Sequence, residues 1–234
     1  MNKAQAIALN LQRIWREILP VELIAVSKYS TPEEVSFAYH AGQKDFGENR
    51  VQDLIEKVHY FEQEDLNDVQ WHFIGHLQSN KVKELFKIKR LHSIHSIDSL
   101  KLLNELFKKE SEAHFDQCHL FLQVNTSKEE EKSGFESVED LSKAIEDIIA
   151  AEKKGSKFIF RGLMTMATIR TDQQELEAAR CFKELYDLKL ELEKKYQREI
   201  YLSMGMSQDY HIALQFHSNY VRIGSSIFKM SIVN

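Results

Sequence analysis

The chain has 234 residues, 43% of them hydrophobic and 29% charged, with a formal net charge of −5. That is enough apolar matter for a large core and too acidic a balance for a general nucleic-acid binder, which carries a basic surplus. The two cysteines, Cys118 and Cys181, form no CxxC pair, which argues against a disulfide scaffold and points to a reduced, cytoplasmic setting.

An amphipathic helix is expected over about residues 3–19. Arg13, Arg16 and Glu17 interrupt it, so it reads as neither a secretory signal nor a membrane span, and no later stretch approaches the roughly 20 apolar residues a span needs. Eight short runs then follow at 23–27, 45–48, 71–75, 91–97, 119–125, 158–166, 200–204 and 220–224. Most are apolar on both faces, as in strands of a covered parallel sheet; the second, DFGE, is the least apolar. Helical patterns lie between them. Val51, Leu54, Ile55 and Val58 share a face, as do Leu141, Ala144, Ile145, Ile148 and Ile149. In the longest helix the expected stripe is Leu176, Ala179, Leu185, Leu188 and Leu192. Thr31, Pro32 and Glu34 form a helix start with a capping box; Asp98, Ser137 and Asp172 are the expected caps of later helices.

Pro20 and Pro32 are the only prolines and no linker composition divides the chain, so residues 1–234 are expected to form a single domain. Alternating β and α units imply a parallel sheet, and eight of them suggest a closed (β/α)8 barrel of the TIM type. The rival, a doubly wound sheet, would normally open with a GxGxxG loop, which is absent. About ten residues follow the last strand, too few for a full eighth helix. The N-terminal helix is expected to cover that gap.

Barrels carry their chemistry at the C-terminal strand ends. Here those ends are Lys28, Asn49, His76, Asn125, Met166, Gly205-Met-Ser207 and Gly224-Ser225-Ser226. Lys28 follows an apolar strand. A desolvated lysine can attack a carbonyl to form a Schiff base; the plainer reading is a snorkelling lysine in a salt bridge. Ser207, Gly224 and Ser225 lie after strands seven and eight, where barrels often hold a phosphate on backbone amides; the plainer reading is two ordinary turns. Alternation sends Val221 and Ile223 to one face and Arg222 to the barrel interior. There it would face a ligand or pair internally, for instance with Glu48. His92 and His95 resemble an HxxH pair but should point to opposite faces of a strand, the ten histidines show no ligand spacing, and no metal site is expected. The run 128–132 and the pairs Lys108-Lys109 and Lys153-Lys154 read as solvated, and Trp71 and the phenylalanines as core.

Six ordered segments carry a resemblance: AVSK ending at Lys28, FGEN ending at Asn49, WHFIGHLQSNK at 71–81, N-x-S-x-E-x-x-K-x-G through Asn125 and Lys132, RGLMTM at 161–166, and GMSQD with VRIGSSIF near the end. On these the chain resembles the pyridoxal phosphate (PLP) homeostasis protein family from about Leu23 to Phe228. The resemblance implies a barrel like the N-terminal domain of alanine racemase, of PLP fold type III. It implies Lys28 as the covalent PLP aldimine, Ser207, Gly224 and Ser225 on the phosphate, Arg222 facing the pyridine nitrogen, Asn49 beside the ring, and Lys132 as a second lysine in PLP handling. Three positions depart from the pattern: His76 where it has proline, and His217 and Lys229 where it has glycine. The expected role is a cytoplasmic, monomeric PLP carrier or buffer serving PLP-dependent apo-enzymes, with no membrane or nucleic-acid partner. The alternatives are a weak PLP-dependent amino-acid racemase and a Schiff-base aldolase acting on a sugar phosphate.

Overall fold

The computed structural model describes residues 2–129, 131–168 and 173–229. Eight parallel strands, β1 (Glu22–Val26), β2 (Asp45–Glu48), β3 (Gln70–Phe73), β4 (Leu91–Ile97), β5 (Cys118–Gln123), β6 (Phe158–Met164), β7 (Tyr201–Met206) and β8 (Tyr220–Ile223), follow one another around a closed barrel. The ring shuts where β8 pairs with β1, Leu23 opposite Val221 and Ala25 opposite Ile223. Around it stand α1 (Lys3–Ile18), α2 (Pro32–His40), α3 (Val51–Gln63), α4 (Val82–Leu85), α5 (Leu100–Lys109), α6 (Val138–Glu152), α7 (Gln174–Tyr196), α8 (Tyr210–Gln215) and α9 (Ser225–Phe228).

Alternation along each strand sorts two layers. Leu23, Phe46, Trp71, Ile94, Leu120, Leu163, Leu202 and Val221 are buried in the large core shared with the helices. The interior holds a smaller apolar cluster of Ile24, Phe121, Met164 and Tyr220. The rest of the interior is polar: His72, Ser93, His95, Ser203 and Arg222 are all buried. A barrel lumen is ordinarily filled by branched aliphatics, so this one departs from the usual packing.

α9 is only one turn long, and α1 covers the seam beside it as expected. Lys3 Nζ donates to the Phe228 carbonyl at 2.6 Å and Asn10 Nδ2 to that of Ile227 at 3.0 Å. The Thr31 capping box opens α2, and Ser137 caps α6 through the Asp140 N–H. Ser99, not Asp98, caps α5, accepting from the Leu102 N–H at 3.3 Å. Asp172 lies outside the described residues. In α7 the buried stripe is Ala178, Cys181, Phe182, Leu185 and Leu192, while Leu176 is exposed. The stripe is rotated because Ala178, Cys181, Phe182 and Leu185 satisfy the i, i+3, i+4, i+7 spacing. Lys109, expected to be solvated, donates to the Ser79 carbonyl at 2.7 Å and so ties α5 to the β3–β4 connection.

β4 overturns the expectation for His92 and His95. Its register shifts against β3 after Trp71, and against β5 beyond Ile94. Such irregularities break strict alternation. Both rings approach His72, with centroids 5.1 and 5.4 Å away, and His119 joins His92 at 4.8 Å. Four of the histidines are therefore clustered rather than scattered.

Candidate functional site

β1 ends at Val26. Ser27 is buried and holds the strand end, donating to Glu48 Oε1 at 2.7 Å. Lys28 follows on a turn and is exposed, its ammonium 5.1 Å from the Tyr29 ring. The expected burial of this lysine is not found; its claim to chemistry rests on reach, as an exposed amine at the barrel mouth. Asn49 is half-buried at the end of β2, where a Cβ on Gly75 would fall 2.0 Å from its carbonyl oxygen. Glycine at 75 is what allows that approach.

The loops after β7 and β8 meet. Gly205 has φ +94°, and a Cβ there would lie 2.7 Å from that of Ala213. Met206 N–H donates to Asp209 Oδ1 at 2.5 Å. Burial raises the Asp209 pKa, opposed by the Met206 amide and the Arg222 charge. Ser207 Oγ accepts from the Gly224 N–H at 3.4 Å, and a Cβ on Gly224 would lie 2.7 Å from the Val26 carbonyl. The ends of β1, β7 and β8 thus share one small space floored by glycine. Ser225 opens α9, where the Ile227 and Phe228 N–H groups donate to the Gly224 carbonyl at 2.9 and 3.1 Å and those of Ser225 and Ser226 have no backbone acceptor among the described residues. This donor set fits a phosphate.

Arg222 is buried in the interior as alternation requires. Nη1 donates to Ser203 Oγ at 2.7 Å and Nη2 to the Thr165 carbonyl at 2.9 Å. Burial lowers its pKa to about 10, opposed by Asp209. The alternative partner, Glu48, points into the helix layer instead and pairs with buried Lys57 at 2.7 Å. Lys132 is held on the rim by Glu129 at 2.7 Å and the Ala167 carbonyl at 3.3 Å. Asn125 braces that loop, donating to the carbonyls of Glu129 and Lys132 at 3.1 and 3.3 Å.

The three departures cost little. His76 is exposed beside Asp98, at 3.2 Å. His217 takes φ +56°, a conformation that suits glycine, with its ring 5.2 Å from that of Tyr186. Lys229 is exposed with φ −75°, which needs no glycine. Sequence reasoning misses Ser203, Thr165, His95 and Asp209, which line or flank the Arg222 guanidinium. A polar residue at an inward position of an otherwise apolar strand is the available signal, and Ser203 in β7 carries it. Among the described residues no three His, Cys, Asp or Glu groups are placed to hold a metal.

The mouth therefore combines a reachable amine, a set of donors suited to a phosphate and a buried guanidinium with no carboxylate bonded to it among the described residues. Residues 3–231 match the family described as alanine racemase, N-terminal domain. Proteins named pyridoxal phosphate homeostasis protein match at 40% identity in Schizosaccharomyces pombe, over 89% of this chain and 83% of that one, and at 36% in Homo sapiens, over 88% and 75%. The structure of PipY from Synechococcus elongatus with PLP bound matches with a TM-score of 0.80 and 33% identity, over 95% of this chain and all (100%) of that one. The alanine racemase of Streptomyces coelicolor shares the fold at 15% identity, TM-score 0.78, over 97% of this chain and 59% of its own. The chain belongs to the pyridoxal phosphate homeostasis protein family, built on the alanine racemase N-terminal-domain barrel.

Proposed function

We propose that the chain, acting as one barrel domain over 1–234, binds PLP covalently through Lys28 Nζ and serves as a carrier or buffer of the cofactor. Ser207, Gly224 and Ser225 take the phosphate, Arg222 faces the ring nitrogen, Asn49 lies beside the ring, and Lys132 is the second lysine available to the cofactor. The observation that carries this reading is the Ser207–Gly224 contact beside the end of β1, above a buried Arg222. PipY, whose structure has PLP bound, is similar over nearly the whole chain.

Bound PLP supplies an aldehyde for amine condensation and a ring that withdraws electrons. Arg222 restrains the second capacity. A guanidinium does not readily give up a proton, so beside the ring nitrogen it disfavours protonation there, whereas a carboxylate partner would favour it. Holding the cofactor is thus favoured over turning substrates over, and efficient racemisation is not expected. The free, buried thiols of Cys118 and Cys181 suit a cytoplasmic setting, with PLP-dependent apo-enzymes as recipients and the chain as a monomer.

The test is to add PLP to purified protein, record the visible spectrum, reduce with borohydride and map the pyridoxyl group by mass spectrometry. A coloured protein labelled at Lys28, with label and colour lost in Lys28→Ala, is the expected result. No chromophore, or label confined to other lysines, overturns covalent binding. Rapid alanine racemisation by the loaded protein overturns the carrier role.

A further inference from the structure

Arg222 is a buried cation whose bonded partners, Ser203 Oγ and the Thr165 carbonyl, are both neutral. Having accepted from the guanidinium, Ser203 has one proton to give, and His95 Nδ1 stands 2.9 Å from its oxygen. A neutral His95 accepting at Nδ1 carries its proton on Nε2, which faces His72 Nδ1 at 3.3 Å. Ser93 Oγ meets the same nitrogen at 2.6 Å, so the two donors share its one lone pair in a three-centre arrangement. His72 then holds its proton on Nε2, 2.9 Å from Asp45 Oδ1. The Asp45 end sets this direction, because an ionised aspartate only accepts, and at the other end the Ser203 hydroxyl keeps its proton to donate after accepting from Arg222. Asp45 lies at the opening of β2, so the column runs the length of the barrel from mouth to base.

The surroundings favour an uncharged His95. Burial first, then the neighbouring His72 and Arg222, hold its pKa well below the ordinary value. His92 flanks His72 and is met in turn by His119, Tyr220 stands edge-on to His95 at 6.1 Å, and Asp209 is the acid that faces Arg222. Phe121 stacks on His95, with centroids 4.2 Å apart and planes 9° from parallel.

We propose that His95, acting through Ser203, is a positioning residue for Arg222, and that the column Asp45–His72–His95–Ser203 fixes the rotation of the guanidinium and links it to a counter-charge at the other end of the barrel. This rests on the reading of Arg222 as the group facing the PLP ring. With Nη1 committed to Ser203 and Nη2 to Thr165, the fork has one orientation to offer a ligand.

The experiment has two arms. In the cofactor-free protein near pH 7, nitrogen-detected NMR of the imidazoles should show His95 neutral with its proton on Nε2, and a proton on Nε2 of His72 where it meets Asp45. A proton on Nδ1 of His95, or an imidazolium, overturns the column. In PLP-loaded protein, His95→Phe keeps the stack on Phe121 and removes both hydrogen bonds. It should release PLP roughly tenfold faster, about the worth of one intramolecular hydrogen bond, and move the pH midpoint of the visible band. His95→Asn, which restores an acceptor at the Nδ1 position, should recover most of both. Ser203→Ala serves if His95→Phe fails to fold. Unchanged release and midpoint in a folded variant overturn the link to Arg222. Failure of the wild type to take up PLP overturns the site reading instead, and leaves the tautomer result to stand or fall alone.

Discussion

Glu48 and Lys57 form a pair almost without solvent, 0% and 5% exposed, with Glu48 Oε2 lacking a partner among the described residues. Two charges brought out of water barely recover their desolvation, but one charge stranded there is far worse. Lys57→Met should therefore destabilise by about 3–5 kcal/mol in urea unfolding. The double variant Glu48→Leu with Lys57→Met should recover most of that loss; a double variant as unstable as the single would contradict the argument. At this scale the sequence is informative where a residue ends a strand or alternates within one. Lys28, Ser207, Gly224 and Arg222 are legible on those grounds. The His95–Ser203 bond is not, because its partners lie 108 positions apart and the irregular register of β4 defeats face counting. The exposure of Lys28 is hidden too, since an apolar run such as LIAV does not reveal that its strand stops two residues before the lysine.

The β7–α8 turn places the Ser207 hydroxyl. Just before it, Gly205 near the end of β7 adopts φ +94° and admits no Cβ without meeting Ala213 and Tyr210. Gly205→Ala should cost about 1–3 kcal/mol through the strained backbone. It should also release PLP faster than an equally destabilised variant remote from the turn, as read by loss of the visible band on dilution. Equal release rates would show that the turn supports the fold alone. Element order and most boundaries follow from the apolar runs and caps, because strands covered on both faces and capped helices write themselves into local sequence. The rotated stripe of α7 and the shift of a cap from Asp98 to Ser99 do not, since neighbouring positions satisfy the same local pattern and tertiary packing chooses between them.

Across the whole barrel, the interior histidines make stability depend on pH. His92 has its pKa lowered to about 3, by burial first and then by His72 and His119, and His95 is lowered well below its ordinary value by burial, His72 and Arg222. An unfolded chain protonates these rings below about pH 6.5, whereas the folded barrel resists. Their stabilisation is complete above about pH 6.5 and is lost progressively as pH falls toward about 3. Each ring contributes at most about 1.4 kcal/mol per pH unit in that window. Urea midpoints for wild type and His92→Asn, measured from pH 7 to pH 4, should converge as the pH falls. Parallel curves would mean that His92 titrates alike in both states.

The bonds from Lys3 and Asn10 to the carbonyls of Phe228 and Ile227 also impose an order of events during synthesis. α1 is made well before β8 and α9, yet part of its apolar face can be covered only after these have left the ribosome. Until then Ile7, Leu11, Ile14 and Ile18, all buried in the finished barrel, have only α2 and the early strands for shelter. A nascent chain stalled before β8 should therefore present an adhesive helix to chaperones, and ring closure, rather than any local element, should mark the moment at which the protein becomes soluble in its own right.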